Sequence, residues 1–252
     1  MANGFFWYDV MSNDVPGTAT FYTDVVGWGT DKQGPDYHLF TVEGQSVAGF
    51  MALPPDAKAT GVPPCWMGYI AVDDVDAAAA KVQSLGGKIH KPPQDIEGVI
   101  RFAVVADPGG AGFIIAKGLM QREMPKFPPG TTGTVGWHEL YAADGKAAME
   151  FYEKAFGWTK SDALDMGPMG VYQMFKTGGE FAMGGIMTKP PAVPVPHWGF
   201  YINVPAIDAA VERVTKAGGK IINGPMEVPG GQWIIQGIDA QGAFFNLVAS
   251  KR

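Results

Sequence analysis

At 252 residues, with 46% apolar and only 17% charged side chains, the chain has the balance of a folded globular protein and enough length for two ordinary domains. A net charge of −6, with 19 Lys and Arg scattered along the chain, excludes the basic face that a nucleic acid or an anionic membrane demands. The single cysteine, Cys65, excludes an internal disulfide and a thiolate-rich zinc site and fits a reducing, cytoplasmic setting. No basic N-terminal segment leads into an apolar run, and no stretch reaches the roughly 18 apolar residues of a membrane span.

In chain order, the first strand is expected over 5 to 11 ("FFWYDVM"), and a helix opens at an N-cap aspartate, Asp14. Its apolar side chains Phe21, Tyr22, Val25 and Val26 recur at helical spacing until Gly27 stops it. Strands follow at 37 to 42, 47 to 52 and 67 to 72. A second helix, "DVDAAAAKVQSLGG", has Val75, Val82 and Leu85 on one stripe and a glycine pair as its stop, and strands at 101 to 106 and 112 to 117 follow it. The same order then returns. A shift of 130 positions lays Trp7 on Trp137, Asp9 on Glu139, Asp14 on Asp144, and Phe21-Tyr22 on Phe151-Tyr152, while a shift of 132 lays Trp66 on Trp198, Tyr69 on Tyr201 and "GGKI" on itself. The chain is therefore a tandem duplication: residues 1–118, a proline- and glycine-rich linker at 119–133, and residues 134–252. Each half consists of two βαβββ units.

These units, with "FY…GW" closing the first helix, "V-D-x-A…GG" forming the second, and the "DPGG" turn at 107 to 110 echoed as "DAQG" at 239 to 242, resemble the vicinal oxygen chelate superfamily. Glyoxalase I, bleomycin- and fosfomycin-resistance proteins and extradiol dioxygenases belong to it. The paired "W-x-[DE]" strands look more narrowly like its two-domain glyoxalase-like proteins, often labelled hydroxylases. The resemblance implies an α+β fold of tandem glyoxalase/bleomycin-resistance/dioxygenase-like domains, each with two βαβββ modules forming a cupped mixed sheet. A small ligand would sit in the concave side, beside one divalent metal. It also implies where the metal ligands would stand. Those positions hold Trp7, Met67 and Ile114 in the first half and Trp137, Gly199 and Asn246 in the second. None supplies a usual imidazole or carboxylate donor. No metal is expected, and the only alternative donor pair is Glu139 with His197.

Side chains of a strand alternate between faces. Phe6, Tyr8 and Val10 are expected to pack on the helices, leaving Trp7 and Asp9, and in the copy Trp137 and Glu139, to face the cup. His138 then falls with Tyr8 as a structural histidine. Glu139, with Asp9 as its shorter counterpart, is the candidate acid/base, since a carboxylate beside an indole in a partly dry pocket holds its proton more tightly. Trp7, Trp137, Tyr69, Tyr141 and Tyr201 are expected as aromatic walls. His38 and its copy Gln173, Arg101, His197 and Asn246 are expected as polar ligand contacts. Two functions follow. One is a protein, monomeric or homodimeric, that binds a small aromatic or oxygenated molecule without metal. The other is a glyoxalase-type lyase or isomerase, or a hydrolase or dioxygenase-related enzyme, with Glu139 moving the proton.

Overall fold

The computed structural model describes residues 3–119 and 125–252. The N-terminal half runs β1 (Phe5–Ser12), α1 (Val15–Val26), β2 (Gly29–Lys32), β3 (Tyr37–Val42), β4 (Gln45–Ala52), a short α2 (Pro55–Ala59), β5 (Cys65–Ala71), α3 (Val75–Ser84), β6 (Lys88–Ile96), β7 (Ile100–Ala106) and β8 (Gly112–Gly118). The second half repeats it: β9 (Val135–Ala142), α4 (Gly145–Phe156), β10 (Thr159–Asp165), β11 (Val171–Lys176), β12 (Gly184–Thr188), β13 (His197–Asn203), α5 (Ile207–Lys216), β14 (Lys220–Val228), β15 (Gln232–Ile238) and β16 (Phe244–Ala249). Each half forms one mixed eight-stranded sheet, in the orders β2-β3-β4-β1-β5-β8-β7-β6 and β10-β11-β12-β9-β13-β16-β15-β14. Part of the linker, residues 120–124, lies outside the described residues. Among the described residues no helix is long and apolar enough to cross a membrane.

The helices begin and end where the local chemistry requires. Asp14 and Asp144 each take an extended backbone and accept a hydrogen bond from the third residue on, Gly17 N and Ala147 N, both at 3.0 Å. Gly27 and Gly157 close α1 and α4 in the left-handed region, at φ 88° and 73°, where any Cβ would be strained.

Compactness does not follow the halves of the sequence. One compact unit gathers residues 3–6, 68–119 and 138–198; the other gathers 7–67, 125–137 and 199–252. In the second unit α1 packs on α5, and buried Tyr22 donates to Asp239 of the "DAQG" turn at 3.0 Å and accepts from Trp66 Nε1 at 2.7 Å. Asp239 in turn accepts from the backbone N–H groups of Gln241 and Ala243, so the turn and the helix share one anchor. The first unit repeats the device: Tyr152 contacts Asp107 at 3.3 Å and accepts from Trp198 Nε1 at 2.9 Å. Burial raises both carboxyl groups above their ordinary range, against the backbone and tyrosine donors that lower them. Trp28 and Trp158, the last residues of the two "GW" pairs, are fully buried beside Tyr22 and Tyr152 respectively.

Candidate functional site

β1 carries Trp7 and Asp9 on the face turned from α1. Trp7 Nε1 donates to Asp9 Oδ1 at 2.9 Å and to Tyr37 Oη at 2.9 Å, and Tyr37 donates to the same Asp9 oxygen at 2.7 Å. β1 pairs in parallel with β4 so that Asp9 lies opposite Gly49, and a Cβ on Gly49 would collide with Tyr37 Oη and Asp9 Oδ1. The missing side chain is what lets the three polar groups meet. Burial, followed by the neighbouring Asp9 charge, holds the Tyr37 phenol protonated well above its ordinary range. Tyr37 is therefore a donor at any ordinary pH. Asp9 is buried, 2% exposed, with one oxygen occupied by two donors. This arrangement gives Asp9 a part in holding the sheet face together.

The repeat builds the same corner with longer groups. Glu139 lies opposite Gly185 in the β9–β12 pairing, and a Cβ on Gly185 would meet the ring and hydroxyl of Tyr172. Tyr172 thus occupies the place of Tyr37. Glu139 is buried, and two residues on, buried Tyr141 stacks on His197 with ring centroids 5.2 Å apart. His197 Nδ1 lies 3.0 Å from the Val195 carbonyl, and burial lowers the imidazole pKa.

His138 points the other way. Its Nδ1 is 2.7 Å from the Met183 carbonyl, its ring stacks on Phe5 at 4.7 Å, and burial pulls its pKa down to about 4. It is a neutral core histidine, partnered on the helix side. Tyr8, its counterpart, packs on Phe200. The alternation expected for β1 fails only at its start, where Phe5 takes the core position and Phe6 meets Tyr69 edge-on at 6.2 Å.

The third cluster is the richest in polar groups. Trp137 packs against Tyr201, Ile234 and Val248, with Val228 beside it. Asn223 Nδ2 donates to Gln236 Oε1 at 3.0 Å, and Gln236 Nε2 donates to Tyr201 Oη at 2.7 Å. Asn246 is paired in register with both Tyr201 and Gln236. Its side chain is fully buried, and neither its amide nitrogen nor its amide oxygen has a hydrogen-bond partner among the described residues. Gly199 makes room for it, since a Cβ there would run into Asn246 Nδ2.

Three expected contacts stand elsewhere. His38 stacks on Phe50 at 5.0 Å, on the side of β3 that carries Phe40, and lines a surface cleft with Val15, Pro16 and Ala19 of α1. Gln173 donates to the carbonyls of Ser161 and Met174 and so fastens the bulge between Lys160 and Ala163. In both strands the preceding tyrosine, Tyr37 or Tyr172, holds the position by the carboxylate. Arg101 forms an exposed ion-pair cluster with Asp76 of α3 at 2.7 Å and Asp95 at 2.8 Å, on the helix side of β7. Tyr69 lies opposite Ile114 in the β5–β8 pairing.

The residues at the implied metal positions do not fit a resident divalent ion. Indole, thioether, aliphatic and amide groups stand there, and among the described residues no three His, Cys, Asp or Glu side chains converge. The fold is nevertheless unambiguous: the sequence profile of the Glyoxalase/Bleomycin resistance protein/Dioxygenase superfamily matches residues 4–115 and again 134–245. The chain belongs to that superfamily. Among its relatives, CFP32 of Mycobacterium tuberculosis, provisionally named a glyoxylase, is 36% identical over 96% of this chain and 93% of its own. DnrV of Streptomyces peucetius, named an anthracycline biosynthesis protein, is 32% identical over 96% of this chain and 91% of its own. Among solved structures, the Mn(II)-bound glyoxalase of Novosphingobium aromaticivorans superposes with a TM-score of 0.70, at 15% identity, over 100% of this chain and 83% of its own.

Proposed function

We propose that the protein, a cytoplasmic monomer or homodimer, binds a neutral, planar, oxygenated aromatic molecule on the β13–β16 face that carries Trp137, Tyr201 and Asn246. The observation that carries this reading is a buried amide without a partner, bordered by an indole and a phenol. A structural core avoids such an arrangement, and a ligand with polar atoms completes it. A relative named for anthracycline biosynthesis, 32% identical, agrees with an aromatic ligand. No metal takes part in this reading, because the donor set does not suit one.

Indole fluorescence reports binding directly. Titrating the protein with hydroxylated naphthalenes and anthraquinones is expected to quench emission. Trp137→Ala should weaken that binding about tenfold or more, as truncation of an aromatic anchor does. Unchanged affinity in the variant would remove Trp137 from the site.

A second reading rests on Glu139, a buried carboxylate beside the Tyr172 corner and two residues before Tyr141 on the same strand. In this reading Glu139 takes a proton from carbon next to a carbonyl. Glu139→Gln should then slow deuterium exchange from solvent into the bound compound by about 10²- to 10⁴-fold while leaving its affinity nearly intact. Equal exchange rates in variant and parent would end that reading.

A further inference from the structure

We infer that the cleft between α1 and the outer strands β2, β3 and β4 of the first sheet binds an α-amino acid with an apolar side chain, in its zwitterionic form. This site lies on the helix side of that sheet and is independent of the ligand proposed for the β13–β16 face.

The cleft has a volume of about 550 Å³, within the range of small-molecule sites. Its walls are largely apolar. α1 contributes Val15, Pro16 and Ala19 from one side of the helix, and β4 contributes Phe50 and Ala52. The His38 ring lies almost parallel to that of Phe50, 22° apart in plane and 5.0 Å between centroids, and extends the flat surface. A branched aliphatic or aromatic side chain would leave water here for apolar contact on both sides.

Strand pairing orders the polar groups. Lys32 lies opposite His38, and His38 opposite Phe50, so their side chains form a row across one face of the sheet. Asp31 alternates to the other face, where its Oδ1 accepts from the Lys32 backbone N–H at 2.7 Å. Asp36, two residues before His38, returns to the row and closes the lip of the cleft from the other side of the turn. The lip thus carries one cation and one anion. Among the described residues neither the Lys32 ammonium nor the Asp36 carboxylate has a side-chain partner, and the His38 ring nitrogens accept or donate no hydrogen bond. In the repeat the equivalent residue, Gln173, is used by the fold itself, donating to the carbonyls of Ser161 and Met174.

These charges select the ligand. A simple carboxylate would meet Lys32 but also Asp36, and a simple amine would meet the reverse. A molecule that carries an ammonium and a carboxylate on one carbon offers each lip group its opposite, with its side chain directed onto the apolar walls.

The test follows the His38 ring C–H signals by NMR while the protein is titrated with phenylalanine, 3-phenylpropionate or phenethylamine. The chain has four histidines, and His38→Gln, which installs the residue of the repeat, assigns the signal by its loss. Phenylalanine should shift it saturably, and each singly charged analogue should bind about fivefold more weakly, the effect of one ion pair at an exposed lip. Lys32 and Asp36 are exposed, so their substitution leaves the fold in place. Asp36→Asn should abolish the advantage of phenylalanine over 3-phenylpropionate, and Lys32→Met its advantage over phenethylamine. The assignment is overturned if phenylalanine leaves the His38 signals unmoved, if either analogue binds as tightly as phenylalanine, or if both advantages persist in the two variants.

Discussion

Acidification from pH 6.5 to pH 4 is expected to cost the folded protein about 3 kcal/mol through His138 alone. Burial lowers the imidazole pKa from 6.5 to about 4, a difference of 2.5, and each pKa unit corresponds to about 1.4 kcal/mol. The sign follows from linkage. The unfolded chain takes up a proton near pH 6.5 and the folded chain does not, so the stabilisation is complete above 6.5 and is lost as pH falls toward 4. Asp107 and Asp239 act in the opposite sense. Their raised pKa values favour proton uptake by the folded state, so their terms grow more favourable as pH falls. His138→Tyr, which installs the residue of the equivalent strand position, isolates the imidazole. Urea unfolding at the two pH values should show the parent losing about 3 kcal/mol more than the variant. Equal losses would mean that His138 is not held neutral in the core.

The largest loss from a single truncation is expected at Trp158, where replacement by alanine should cost about 3–5 kcal/mol. The ring is 2% exposed, lies nearly parallel to Phe175 at 4.4 Å and to Tyr152 at 4.8 Å, and donates its N–H to the Asn3 carbonyl. Tyr152, stacked on the ring, is held in place by its bonds to Trp198 and Asp107 and so does not move into the space. Trp158→Phe should recover most of the loss, since it restores the stack and forfeits only the donor. If urea midpoints place Trp158→Ala within about 1 kcal/mol of the parent, the aromatic stack is not what holds α4 to β11.

The elements that sequence makes plain are those with a strong chemical signature. Asp14 and Asp144 as caps, Gly27 and Gly157 as stops, and the strands at β1, β3, β4, β5, β7 and β8 all stand where patterning puts them. β2 and β6 do not announce themselves. β2 is exposed along its whole length, and β6 carries Lys, His, Gln and Asp around a central proline pair, so neither has the apolar alternation that marks a half-buried strand. Site residues are harder for a related reason. In "YHLF" both Leu39 and Phe40 are buried, so burial pattern does not reveal which face His38 shares. Polarity then points to His38 and Gln173, whereas the corners by Asp9 and Glu139 are built by Tyr37 and Tyr172. The signal that finds them is a pair of glycines, Gly49 and Gly185, each opposite an acid on the next strand. Strand parity puts Trp137, Glu139 and Tyr141 on one face of β9, whereas Asn246 is reached only through the family resemblance, by counting from the "DAQG" turn. Arg101 was misplaced because an unpaired cation in a sequence looks the same whether it awaits a ligand or, as here, two aspartates.

The two tyrosine–aspartate anchors are mirror forms of a single pairing. Tyr22 holds Asp239 and Tyr152 holds Asp107, so a helix residue from each copy grips the turn belonging to the other. Such reciprocity is the mark of an isologous interface between identical subunits. The single chain thus joins two like copies end to end, each lending a turn to the helix of the other. The two copies differ at the equivalent positions of their last strands, with isoleucine at 114 and asparagine at 246.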